Sequence, residues 1–190
     1  AHSTGVKSGD DQDAILNEGN ITVTATSNTG AAGGSFSLAG FSFGDSFTEA
    51  IAEGINARGG NDTVINTGSI TAGSVQDNNH PMAYSEVASV SFSLFGLSSA
   101  TFGSKAQATG IIGGEGDEII LNAGTITVGD DDWMAKGRAY GFSGNFFEFF
   151  SLTDVGATAE TIATGIEGGD GNDTLLNDTS GVLTVKATSY

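Results

Sequence analysis

The segments DAILNEGNITV (13–23), DTVINTGSITA (62–72), EIILNAGTITV (118–128) and DTLLNDTSGVLTV (173–185) are four versions of one phrase. Each opens on an acidic residue, runs through an apolar pair to an Asn, turns, and ends in a short Thr-containing strand. The acidic position falls at 13, 62, 118 and 173, at intervals of 49, 56 and 55 residues. Self-similarity at a long period marks stacked units, each of which covers its neighbour's apolar face. The expected fold is all-β: a parallel β-solenoid (β-helix) of about three and a half repeats of roughly 55 residues. The chain reads as a single domain, 1–190, divided into units 1–57, 58–112, 113–167 and a partial 168–190. A repeated surface, rather than one catalytic pocket, is the expected working part.

Register extends upstream of the phrase as well. Gly54, Gly110 and Gly165 each stand eight residues before an acidic position, and each is followed by Ile. Strand alternation places Val64 and Asn66 on one face, and Ile70 and Ala72 on one face after the turn. The matching pairs are Ile15 and Asn17, Ile120 and Asn122, Leu175 and Asn177. Matched columns of this kind follow from in-register stacking, whereas the strands of a sandwich are not identical. The Asn column at 17, 66, 122 and 177 has two readings: an amide ladder between rungs, or residues that tolerate a left-handed turn.

A Ser-, Ala- and Phe-rich stretch separates the phrases: GGSFSLAGFSFGDSF (33–47), EVASVSFSLFGLSSATF (86–102) and GRAYGFSGNFFEFFSL (137–152). It is either a second coil or a β-hairpin projecting from the first. Two coils per repeat would leave like turns about 10 Å apart. One coil plus a hairpin would bring them to adjacent rungs. Crowding of Phe146, Phe147, Phe149 and Phe150 in NFFEFF makes both strand faces apolar, the composition of an interaction surface. Phe36, Phe92 and Phe142 fit a buried second coil better.

Composition narrows the partners. Six basic residues against 23 acidic ones give a net charge of −17, which excludes the basic footprint that nucleic acid requires. Thirty glycines and a single proline favour short strands and tight turns. There is no cysteine, hence neither a disulfide framework nor a thiolate site. No apolar stretch approaches the ~20 residues of a membrane helix, so no membrane insertion is expected. The opening AHSTGVKSGD (1–10) shows no signal-peptide pattern and reads as a processed or cut end.

The turn GGDGNDTLL (168–176) resembles the nonapeptide of hemolysin-type calcium-binding (RTX) repeats at every fixed position. GGEGDEIIL (113–121) differs by Glu118, GGNDTVI (59–65) is shortened, and GDDQDAIL (9–16) is degenerate. The N-x-G-x-I-T-V segments are similar to repeats of autotransporter passengers and large bacterial surface adhesins. The resemblance implies calcium as cofactor, bound by the Asp173 carboxylate with carbonyls near Gly169 and Gly171. Asp62, Glu118, Asp117 and Asp13 are the further candidate ligands. It also implies an extracellular or cell-surface location. One departure matters: RTX turns recur every nine residues, whereas these lie 49 to 56 apart. The other reading of the motif is a tight corner, with glycines supplying positive φ and Asp capping amides.

Asp130, Asp131 and Asp132 read as a solvated loop rather than a second calcium site, and His80 lies in a loop by composition. Arg58 beside Asp62 is the one pairing that a polysaccharide lyase could use, and a surface ion pair explains it equally; no nucleophile, phosphate or zinc motif accompanies it. No enzyme is expected. The segment LTVKATSY (183–190) matches ITVTATSN (21–28) and stops partway through a repeat, and an open solenoid end templates another chain. The expectation is a structural or adhesive repeat protein that self-associates end to end. A glycan- or ice-binding module is the alternative, although the Thr row of ITVTAT (21–26) is not sustained in ITAGSV and ITVGDD.

Overall fold

The computed structural model describes residues 1–37, 42–73, 82–93, 96–129, 135–145 and 151–189, and these contain strands and no helix. The first rung is β1 (His2–Lys7), β2 (Ala14–Asn17), β3 (Asn20–Val23) and β4 (Ser27–Ser37). The second is β5 (Ser42–Asn56), β6 (Thr63–Asn66), β7 (Ser69–Ala72) and β8 (Ala83–Ser93). The third is β9 (Gly96–Glu115), β10 (Ile119–Asn122), β11 (Thr125–Val128) and β12 (Ala135–Asn145). A fourth holds β13 (Ser151–Asp170), β14 (Thr174–Asn177) and β15 (Val182–Val185).

Every strand pairs in parallel with the strand four places along the chain. This gives the sheets β1-β5-β9-β13, β2-β6-β10-β14 and β3-β7-β11-β15, and the three-stranded β4-β8-β12. The architecture is thus all-β, parallel and solenoid-like. Ile15, Val64, Ile120 and Leu175 lie directly above one another, as the repeated phrase requires. Inward-facing Ile55, Ile111, Val64, Ile120, Ile70 and Ile126 from three sheets are fully buried in one core. Each contributes roughly 2–3 kcal/mol of transfer free energy.

The Phe-rich stretches are neither a second coil nor a hairpin. A hairpin would pair its two arms with each other. Here β4 and β5, β8 and β9, and β12 and β13 belong to different sheets, and each arm bonds to the equivalent arm of the next rung. Each arm bonds to its equivalent along the stack, so the two arms of one stretch do not pair with each other. One sequence period therefore separates hydrogen-bonded neighbours, and like turns follow strands that are adjacent in their sheets. Asp130 to Asp132, His80 and the NFFEFF cluster lie outside the described residues, as do the side chains of Phe36, Phe92 and Phe142.

Close stacking explains the glycine columns. Gly5, Gly54 and Gly110 occur where a Cβ would come within 2.7 Å of the carbonyl oxygen of the next rung's glycine. At the second corner, a Cβ on Gly68 or Gly124 would sit 2.1 Å from the carbonyl oxygen of Gly19 or Gly68, which accepts a ladder hydrogen bond.

Candidate functional site

The acidic residues close the glycine turns and open the ladder of the sheet β2-β6-β10-β14. The carbonyls of Asp13, Asp62 and Glu118 accept the amides of Thr63, Ile119 and Thr174 at 2.9, 2.9 and 2.8 Å. This pairing stacks Asp13, Asp62, Glu118 and Asp173 in one column at the strand spacing of about 4.8 Å. Neighbouring like charges at that distance repel by about 3 kcal/mol at an effective dielectric of 20. The column must be relieved by hydrogen bonds, protons or cations.

Hydrogen bonds supply part of the relief. Asp62 Oδ1 accepts the Asp13 amide at 2.7 Å, Asp173 Oδ1 accepts the Glu118 amide at 3.0 Å, and Asp13 Oδ2 accepts the Gly9 amide at 3.0 Å. One position outward, Asn61 Oδ1 accepts the Asp117 amide at 3.0 Å, and Asp117 Oδ1 accepts the Asn172 amide at 2.9 Å. The capping role expected of a tight corner is therefore real. Gly114, Gly116, Gly169 and Gly171 carry φ of 121°, 136°, 109° and 139°, the region open to glycine. Arg58 occupies the column of Gly114 and Gly169 at φ 71°, which costs about 1–2 kcal/mol for a residue with a Cβ.

The caps fail at the centre of the column. Glu118 is one methylene longer than Asp, and both its carboxyl oxygens are buried without a hydrogen-bond partner. So is Asp62 Oδ2. Asp62 and Glu118 are each 1 % exposed. Loss of solvent raises the Glu118 pKa to about 7, with the adjoining Asp173 carboxyl and the charges of Asp62 and Asp117 adding to the rise. Of the proposed ligands, Asp13 and Asp173 thus already cap amides, Asp117 faces outward, and Asp62 and Glu118 hold the unsatisfied oxygens. Among the described residues no group of three or more His, Asp or Glu converges as a metal cage. A cation here would bind two carboxylates and complete its shell with backbone carbonyls and water, which suits an oxygen-seeking ion.

Arg58 does not engage Asp62. Its Nη1 lies 3.4 Å from Asp10 Oδ1, on the outer side of the corner, where Asp10, Arg58, Gly59, Gly60 and Glu115 line an open cavity of about 430 Å3. The Asn column is an amide ladder: Nδ2 of Asn17, Asn66 and Asn122 donates to Oδ1 of Asn66, Asn122 and Asn177 at 2.7, 2.7 and 2.6 Å. None of these Asn residues has positive φ, so the turn reading falls.

One cluster had no sequence signal. Glu53, 8 % exposed, accepts from Thr4 Oγ1 at 2.9 Å and Asn56 Nδ2 at 3.0 Å, and lies 3.1 Å from His2 Nε2. Burial pushes its pKa up, but the bonds from Asn56, His2 and Thr4 outweigh it and hold the carboxyl below its ordinary value. Two of the partners are contributed by the preceding rung and are 49 or more residues away in sequence. No family model, curated protein or solved structure matches the chain.

Proposed function

We propose that the chain is a β-solenoid of about three and a half single-coil repeats. In this reading it is a module of an extracellular fibre or adhesin that lengthens by rung-on-rung stacking, with calcium at its acidic corner. One observation carries the stacking. Val64 and Ile120 are 0 % exposed, but Leu175 in the same column is 47 % exposed. Likewise Ile70 and Ile126 are 0 % exposed and Leu183 is 42 %. The fourth rung thus presents an apolar core beside unpaired strand edges, which is a template for another rung. The chain's own first rung carries the matching columns: Ile15, Ile21 and Asn17.

Gly19 provides the test. A Cβ added to it meets nothing within 4 Å, whereas Gly68 in the same column would strike a carbonyl of the rung before it. The wild type is expected to form filaments in electron microscopy, and Gly19→Ala is expected to leave the melting temperature unchanged and to abolish them. A wild type that stays a monodisperse monomer in size exclusion, with and without chelator, overturns the stacking reading.

The corner gives a pH prediction. The folded pKa of Glu118, about 7, lies above the ordinary value of 4.5, so between these values the folded chain holds a proton that the unfolded chain has released. Stability without divalent cations therefore falls as pH rises from about 4.5 to about 7, by at most about 1.4 kcal/mol per pH unit. Glu118→Gln should flatten that slope. Calcium needs both carboxylates ionised, so millimolar calcium should raise the melting temperature at pH 8 and not at pH 5. No shift at pH 8 removes the cation and leaves a corner held by a proton.

The glycan or ice reading gains one observation. Although no Thr row runs along a strand, Thr22, Thr71, Thr127 and Thr184 form a column along the stack. The column beside it is mixed: Asn20, Ser69, Thr125 and Val182. A glycan array and an ice-recrystallisation assay separate this reading from the first.

A further inference from the structure

We infer that the outer face of the sheet β2-β6-β10-β14 is a lateral interface that zips one stacked filament of this chain against a second. This rests on the stacking proposed above and adds a second direction of assembly. The sheet's inner face fills the core, so its outward residues would ordinarily be polar. Here the outward column Leu16, Ile65, Leu121, Leu176 is apolar in every rung, and the neighbouring column is Ala14, Thr63, Ile119, Thr174. Leu16, Ile119 and Leu176 are 59 %, 53 % and 54 % exposed. Neither column contains an ionisable group, in a chain of net charge −17.

Spacing and charge select the occupant. Side chains that repeat at every rung fit a surface with the same repeat, and a second copy has it. The acidic turns line one edge of this face with four carboxylates, and the other edge carries Glu18, Thr67, Ala123 and Asp178, neutral in the two inner rungs and acidic in the two outer ones. A two-fold axis parallel to the stack reverses the strand direction between partners. Each acidic edge then meets its partner's less acidic edge, which carries two carboxylates where the turn edge carries four, and like-charge contact is reduced.

Area sets the order of events. A rung of four residues offers a footprint of about 60 Å2, so a pair of single copies buries about 500 Å2 in total. That is below the roughly 1,000 Å2 of a stable specific interface. Two or three stacked copies cross the threshold. Single chains therefore do not pair sideways, and filaments do.

The test is electron microscopy and light scattering of the full chain and of Ile65→Thr/Leu121→Thr, whose new residues suit a strand and match the adjoining Thr63. Wild-type filaments are expected in side-by-side pairs or bundles that increase with salt, because salt screens the acidic edges. The double variant is expected to give single filaments of unchanged length. Single wild-type filaments at every salt concentration, or bundling of the variant to the wild-type extent, overturns the lateral face and leaves stacking intact. Monomers alone overturn both.

Discussion

Gly114→Ala is expected to destabilise the chain by about 3–5 kcal/mol, a drop of roughly 10 °C or more in melting temperature. Two effects add. At φ 121° a residue with a Cβ is strained whatever the space around it. The new Cβ would also sit 1.4 Å from the carbonyl oxygen of Arg58, which accepts the Glu115 amide at 2.7 Å. Relief requires the second and third rungs to separate at the corner that holds Asp62 and Glu118. Gly59→Ala is the control from the same corner. Its nearest atom would be 3.8 Å away and its φ is not in the left-handed region, so a change within about 0.5 kcal/mol is expected. Chemical denaturation of both variants decides the matter, and equal losses would refute direct rung-on-rung contact there.

Asn66→Ala should cost about 2–4 kcal/mol, more than its volume accounts for. Asn66 is 0 % exposed, accepts from Asn17 and donates to Asn122. Truncation leaves a buried donor on one side and a buried acceptor on the other, and water cannot reach either. Asn17 is the end of the described ladder: it donates to Asn66, and its Oδ1 accepts the Gly19 amide at 3.2 Å. Asn17→Ala is therefore expected to cost about half as much. Denaturant midpoints at constant slope would measure the difference. Equal midpoints for the two variants would mean that the amides act singly and not as a chain.

The glycine and Asn columns differ in how readily they could be read. Gly54 and Gly110 announced themselves by register, but the sequence does not say that each makes room for a carbonyl 55 or 56 residues away. The acidic column was legible as a motif and illegible as a site. Asp62 and Glu118 look like equivalent turn residues in sequence. Only the packed corner shows that Glu118, one methylene longer than Asp, caps no amide, and that both its carboxyl oxygens, like Asp62 Oδ2, are buried without partners. Glu53 was missed because nothing local marks it; two of its three partners come from another rung.

The repeated phrase alone determined that strands are parallel, that Val64 lies over Ile120, and that Asn66 lies beside Asn122. Periodicity fixes which residues are equivalent, and equivalent residues in a parallel stack must coincide. It did not determine how much chain one coil consumes, because an apolar alternating stretch is equally compatible with a second coil, a hairpin or an arch. The tertiary structure decided that: each arm hydrogen-bonds to its equivalent along the stack, and the two arms of one stretch belong to different sheets. That choice brought the acidic turns onto adjacent rungs, where burial and mutual charge give them chemistry that no single turn possesses.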